Sequence, residues 1–237
     1  LKKLICKGLR RKDIIGSLVL LLTWINVLGQ AASWDSTIRP EIYHPRVALM
    51  KTFHHSEKDI VFLGNSITFW GEWQQLLRNS HIRNRGIPGD TSYGVLDRLD
   101  EVTEGKPAKV FLMIGINDLA RNTPANVVIN NCRRIVAGIK AKSPATRMYV
   151  QTMLPTNDSF KKLPNHCNKD GLIREVNIGL AVLANEEGAT FIDLYSHFTD
   201  TAGKLKKELT WDGVHLTAEG YLLWAEILKK GKFLKRK

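Results

Sequence analysis

The stretch TWDGVHLTAEGY, Thr210 to Tyr221, sets an acid and an imidazole, Asp212 and His215, three residues apart in a glycine-containing turn ahead of an amphipathic segment. Taken alone, the pair reads as a surface loop with a helix cap, because Asp, Gly and Thr all favour such places. Taken as chemistry, the carboxylate can accept the proton on one ring nitrogen and fix the tautomer, which leaves the other nitrogen free to act as a base. Ser66, in the stretch GNSIT, is a residue such a base could serve. A hydroxyl is a weak nucleophile at neutral pH and needs an adjacent base to become a strong one. In isolation Ser66 reads first as a turn or cap serine. The remaining histidines have less to recommend them. His54 and His55 lie in a polar stretch, and His44, His81, His166 and His197 lack a paired acid in a comparable setting, so all six are read as surface or packing residues.

Acyl transfer also requires hydrogen-bond donors aimed at the developing oxyanion. Gly89, in RGIPGDTS, has no side chain to keep a substrate away from its backbone N–H, although the glycines and the proline there could simply shape a turn. Asn117, in GIND, offers neutral amide donors where an Asp would bring negative charge, although an Asx-turn explains the residue too. With the backbone N–H of Ser66, three donors are available. The polypeptide then supplies every group that an ester hydrolysis needs, and neither a cofactor nor a metal is expected.

These residues have to be positioned by regular elements, and the pattern of the chain provides them. Short runs rich in β-branched and aromatic residues at 59–64, 109–115, 147–152 and 190–194 read as buried strands, with a weaker strand at 82–85. Helical patterns fall between them at 70–78, 92–102, 124–142, 172–187 and 218–230. Strict alternation implies a parallel sheet covered on both faces. Ligands of such a sheet bind beyond the carboxyl ends of the strands. GNSIT, RGIPGDTS, GINDLA and WDGVH all fall in loops at that edge.

The outer parts of the chain carry most of its charge. Of the formal +12, a net +5 lies in the first 13 residues and +6 in the nine from Lys229 to Lys237, so the body between them is nearly neutral. No basic stripe with interleaved aromatics supports a nucleic-acid partner. The basic start is followed by the apolar run Ile14 to Gly29 and the small residues of QAAS, the n-region, h-region and cleavage site of a secretory signal. The run is shorter than the roughly 18 to 20 residues a spanning helix needs, so no stable membrane anchor is expected after cleavage. The expected organisation is a signal peptide at 1–32, an N-terminal extension at 33–58, a catalytic domain at 59–230 and a basic tail at 231–237, with the product secreted or periplasmic. Cleavage would leave Cys132 and Cys167 as the mature thiols, either free or joined in a disulfide.

Ser66 in GNSIT, Gly89 in RGIPGDTS, Asn117 in IGIND and Asp212 with His215 in DGVH follow the order of the four sequence blocks of the SGNH hydrolases, the GDSL-type esterases. The chain resembles that family from about residue 59 to 230, most closely the branch of the platelet-activating factor acetylhydrolase catalytic subunits and bacterial carbohydrate acetylesterases. The resemblance implies a flavodoxin-like three-layer α/β/α sandwich with about five parallel strands, and ester hydrolysis through an acyl-serine. One residue departs from the family pattern: Asn65 stands where the usual block has Asp. The expected function is release of short acyl groups, foremost acetyl, from a small acylated carbohydrate. The alternatives are a lysophospholipase or thioesterase, and a non-catalytic glycan-binding module on the same fold. Trp70 or Trp73 is a candidate wall for the acyl group, though an aromatic stripe is usually core. The loop at 153–168, with Asn157 and Asp158, is the candidate reader of sugar hydroxyls.

Overall fold

In the computed structural model, which describes residues 34–234, the apolar runs of the chain become the strands of a parallel sheet. β1 (Ile60–Gly64) and β3 (Lys109–Met113) are buried along their whole length, as strands must be when helices cover both faces. β2 (Ile82–Gly86), β4 (Arg147–Gln151) and β5 (Thr190–Ile192) complete the sheet. Its order is β2-β1-β3-β4-β5 with every pair parallel. This is the flavodoxin-like three-layer α/β/α sandwich, and its connections reverse direction between β1 and β3, where such sheets bind ligands. In register, Gly64 lies opposite Gly86 on one side and Met113 on the other. The loops that follow β1, β2 and β3 therefore leave the sheet at the same level.

An aromatic ladder crosses one face of the sheet. Phe62, Phe111 and Tyr149 occupy paired positions on β1, β3 and β4, with stacked rings at centroid distances of 5.0 and 4.3 Å. Trp73 stacks on Phe62 at 4.5 Å and meets Trp224 edge-on at 4.7 Å. Truncating a buried aromatic of this kind to Ala costs roughly 3–5 kcal/mol. On the helical layers, α7 (Ala125–Lys142) packs against α8 (Asp170–Glu186), and α10 (Ala218–Lys230) packs against α3 (Trp73–Leu77). Cys132 and Cys167 are both buried free thiols, so no disulfide links them.

Two expected helices are altered, one shortened and one broken, each by a side chain with a polar partner elsewhere. The helix expected at 70–78 begins only at Trp73, as α3, and a separate short helix, α2 (Ser66–Phe69), precedes it. The indole of Trp73 folds back over Gly71, where a Cβ would lie 2.3 Å from its ring, and donates its N–H to Thr68 O at 2.8 Å. The segment at 92–102 divides at Arg98 into α4 (Ser92–Asp97) and α5 (Leu99–Thr103). The Arg98 guanidinium is buried and reaches Asp90, Gly64 O and Arg85 O. The extension at 33–58 also contains α1 (Tyr43–Lys51), whose Tyr43 and Met50 pack on Ile87. With just two buried residues it shows little of the apolar stripe by which a helix is recognised. Short helices α6 (Ile116–Ala120) and α9 (Tyr195–Phe198) follow β3 and β5. Among the described residues no helix is long and apolar enough to cross a membrane. The segment read as a signal, 1–32, lies outside the described residues, as do the last three residues of the basic tail.

Candidate active site

Ser66 is carried on a tight elbow between β1 and α2. Asn65 leaves the strand with φ −103° and ψ −148°, and its Oδ1 accepts a hydrogen bond from Ile67 N at 3.0 Å, capping the helix that Ser66 begins. An Asn caps an N-terminus about as well as an Asp does. The departure from the family block therefore keeps the turn and places a neutral group in a buried position. Two glycines let the elbow sit this low on the sheet. A Cβ on Gly64 would lie 2.4 Å from Met113 O, and one on Gly86 would lie 2.3 Å from Phe69 N.

The turn carrying Asp212 and His215 is cross-braced by its own side chains. Thr210 Oγ1 donates to His215 O at 2.7 Å and accepts from Gly213 N at 2.9 Å. Asp212 Oδ1 accepts from the backbone N–H groups of Val214 and His215 at 2.9 and 2.7 Å. That leaves Oδ2 for the ring, 2.6 Å from His215 Nδ1. The other ring nitrogen, Nε2, lies 2.9 Å from Ser66 Oγ. Asp212 and Ser66 are buried, while His215 is partly open to solvent. Trp211 lies almost parallel to the imidazole, with centroids 5.4 Å apart. Tyr221 on α10 donates its hydroxyl to Ile67 O at 2.8 Å and so fastens α2 to the helix that follows the His215 turn. Ser66, His215 and Asp212 thus form a continuous hydrogen-bonded relay.

Gly89 occupies the turn after β2 with φ +77°, a conformation that favours glycine. Asn117, on α6, donates from Nδ2 to Asp90 O at 2.8 Å, which ties the Asn117 side chain to the residue after Gly89. Below them is a buried polar layer that sequence reasoning missed. The Asp90 carboxylate pairs with Arg98 at 2.9 Å. Asp118 accepts from Ser92 N and, at 2.5 Å, from Ser92 Oγ, which in turn accepts from Asn131. Burial pushes Asp118 up to about 6, although its bonds from Ser92 act in the opposite direction. The available signal was adjacency, since Asp90, Ser92 and Asp118 stand beside the block residues in the chain.

Several sequence readings need correction. Trp73 is 1% exposed and belongs to the aromatic core, so it cannot wall a pocket, whereas Trp70 is 57% exposed. Asn157 is buried, with its amide donating to Leu205 O and accepting from Ser159. It is therefore spent within the protein and cannot read a sugar. Asp158 pairs with Lys204 at 3.2 Å, and its carboxylate stays partly exposed. His166, expected to be a surface or packing residue, instead places its Nε2 2.9 Å from Asn117 Oδ1. A narrow cavity of about 10 Å³, the space of roughly one water molecule, lies against Asn65, Ile67, Met113, Ile116, Met153 and Val214. Among the described residues no group of three or more His, Cys, Asp or Glu side chains is placed to hold a metal ion.

This arrangement of fold and relay has relatives. Residues 62–223 match the GDSL-like lipase/acylhydrolase family, and the chain belongs to it. It is a carboxylic ester hydrolase of the GDSL/SGNH type. The platelet-activating factor acetylhydrolase IB subunit alpha1 of Homo sapiens is 28% identical over 172 residues, covering 70% of this chain and 71% of that protein. The corresponding alpha2 subunit of Rattus norvegicus is 28% identical over 171 residues, with 70% and 72% covered. Among solved structures, a GDSL-like lipase from Bacteroides thetaiotaomicron superposes with a TM-score of 0.67 at 25% identity, covering 80% of this chain and 96% of that one. An acetylxylan esterase from Geobacillus stearothermophilus shares the fold, with a TM-score of 0.59 at 21% identity and coverage of 78% and 99%.

Proposed function

We propose that the protein is an exported esterase that removes short acyl groups, acetyl foremost, from carbohydrate through an acyl-Ser66 intermediate. The observation that carries this reading is the placement of His215 between Ser66 Oγ and the Asp212 carboxylate at 2.9 and 2.6 Å. His215 Nε2 takes the hydroxyl proton as Ser66 Oγ attacks the ester carbonyl carbon, and it returns that proton to the alkoxide as the alcohol leaves. Water then attacks the acyl-Ser66 carbonyl with the same nitrogen as base, releasing the free acid and restoring Ser66. Asp212 holds Nδ1–H and stabilises the transient imidazolium. The negative oxygen of each tetrahedral intermediate is met by the N–H groups of Ser66 and Gly89 and by Asn117 Nδ2. One Nδ2 hydrogen is engaged by Asp90 O; the second remains for the substrate.

The curated relatives at 28% identity are acetylhydrolases by name, which accords with acetyl as the acyl group. Trp70 and Trp211, 57% and 52% exposed, stand on the loops that carry Ser66 and His215. Such amphipathic rings give the apolar face of a sugar something to rest on. Export rests on the signal-like pattern of residues 1–32. A series of p-nitrophenyl esters together with acetylated saccharides tests the substrate reading. Acetyl esters should give a higher kcat/KM than octanoyl or longer esters, and acetylated saccharides should be turned over without detergent. A kcat/KM that climbs steadily with chain length, or activity confined to micellar lysophospholipid, would overturn it.

A further inference from the structure

A primary amide presents a donor and an acceptor of almost the same shape, and a half-turn about its last bond exchanges them. An oxyanion donor of this kind works only if something fixes which end faces the substrate. On one side of Asn117 the carbonyl of Asp90 can only accept, and it takes Nδ2. On the other side is His166, 49 residues away in the chain, with Nε2 2.9 Å from Oδ1. Since Oδ1 can only accept, Nε2 must carry the hydrogen.

We propose that His166 is a positioning residue of the esterase site, whose Nε2–H holds the Asn117 amide with Nδ2 turned toward the substrate oxygen. The inference rests on the oxyanion role given to Asn117 above. Flipping the amide would set Oδ1 against the Asp90 carbonyl, losing that hydrogen bond and creating a repulsion, and would set NH₂ against the His166 N–H unless the ring also changed tautomer. Both neighbours are themselves fixed. Asp90 is buried, with its carboxylate paired to Arg98. The backbone N–H groups of His166 and Cys167 both donate to Leu163 O, at 3.0 and 3.2 Å, and the Cys167 side chain is buried behind them. The loop at 153–168 thereby reaches the chemistry through Asn117. Burial holds the His166 imidazole below its ordinary value, with the nearby His215 adding to the effect, so the ring is neutral in neutral solution. Removal of the N–H would let the amide sample other rotamers and lower the fraction of enzyme with its donor in place before substrate arrives. Loss of such preorganisation is felt in the transition state more than in ground-state binding.

The test uses p-nitrophenyl acetate and the full chain. His166→Phe keeps the ring and removes the donor, while His166→Gln restores a donor at the end of a chain of similar reach. His166→Phe should lower kcat about 10-fold with KM changed less than about 2-fold, a smaller loss than the roughly 10²-fold expected for removing the donor amide itself. His166→Gln should recover most of the rate. In an Asn117→Ala background, His166→Phe should change kcat by less than about 2-fold, because the residue it acts through is gone. An unchanged kcat, a rise confined to KM, or an equal fall in both backgrounds would overturn the proposal. Should His166→Phe fail to show a cooperative thermal melt, His166→Ala is read by the same criteria. Ser66→Ala and Asn117→Ala separate the two levels. An active Ser66→Ala, or an Asn117→Ala with undiminished kcat, would overturn the function on which the proposal rests. Losses in both, with His166→Phe unaffected, would overturn the positioning role alone.

Discussion

Gly213 and Asn157 share a space that admits no Cβ. Asn157 N donates to Gly213 O at 2.8 Å, and a Cβ on Gly213 would fall 2.2 Å from Asn157 O at a backbone φ of +93°. The turn that carries Asp212 and His215 is therefore pressed against the loop at 153–168. Gly213→Ala must either move Asn157 or move the turn. It should destabilise the protein by about 2 kcal/mol or more in urea unfolding, the sum of left-handed strain and a backbone clash, and it should lower kcat by pulling His215 away from Ser66. A variant within about 0.5 kcal/mol of wild type at full activity would show that the contact does not position the turn.

Asn117→Ala removes an amide assigned to the developing oxyanion. Its kcat on p-nitrophenyl acetate should fall roughly 10²-fold or more while KM changes little, the signature of an interaction made chiefly in the transition state. A KM effect with kcat preserved would assign Asn117 to ground-state binding instead.

Asp118 gives the stability of the protein a specific pH dependence. Burial raises its folded-state value from 3.8 to about 6, so the folded protein favours the protonated acid. The resulting penalty is greatest above pH 6 and fades as pH falls from about 6 toward 4. Asp118→Asn lacks this titration. Between pH 7 and pH 5 the stability of wild type relative to Asp118→Asn should therefore rise by about 1 kcal/mol. Urea denaturation of both proteins at the two pH values reads the difference, and no change between them would mean that the buried carboxyl stays ionised in the folded protein.

Trp70 stands exposed at the end of the short helix that Ser66 begins. Trp70→Ala should raise KM for acetylated saccharides about 5-fold, the equivalent of one aromatic contact. The same substitution should leave kcat/KM for p-nitrophenyl acetate nearly unchanged. Equal losses on both substrates would place Trp70 in the structural support of the elbow.

What could be read from the chain was whatever its local patterns determine. Strands such as Ile60–Gly64 and Lys109–Met113 announce themselves because burial on both faces demands unbroken apolar runs. Asp212 and His215 are near neighbours whose pairing needs no knowledge of the fold, and the loop-edge rule for parallel sheets indicated where Ser66 would lie. The misses were set by tertiary contacts. Nothing near His166 in the chain marks it, because its partner is an amide oxygen 49 residues away. Arg98 sits in a helical pattern that gives way when its guanidinium is drawn to Asp90 and the ends of β1 and β2. Asn157 looked free to recognise a ligand because its hydrogen-bonding partner, Leu205 O, lies 48 residues on.

In the proposed mechanism Ser66 becomes covalently acylated with His215 as its base. A serine-directed phosphonate followed by peptide mass mapping tests it directly. A single stoichiometric adduct on Ser66 is expected, formed far more slowly in His215→Ala. An adduct on another residue, or no adduct on a folded sample, would contradict it.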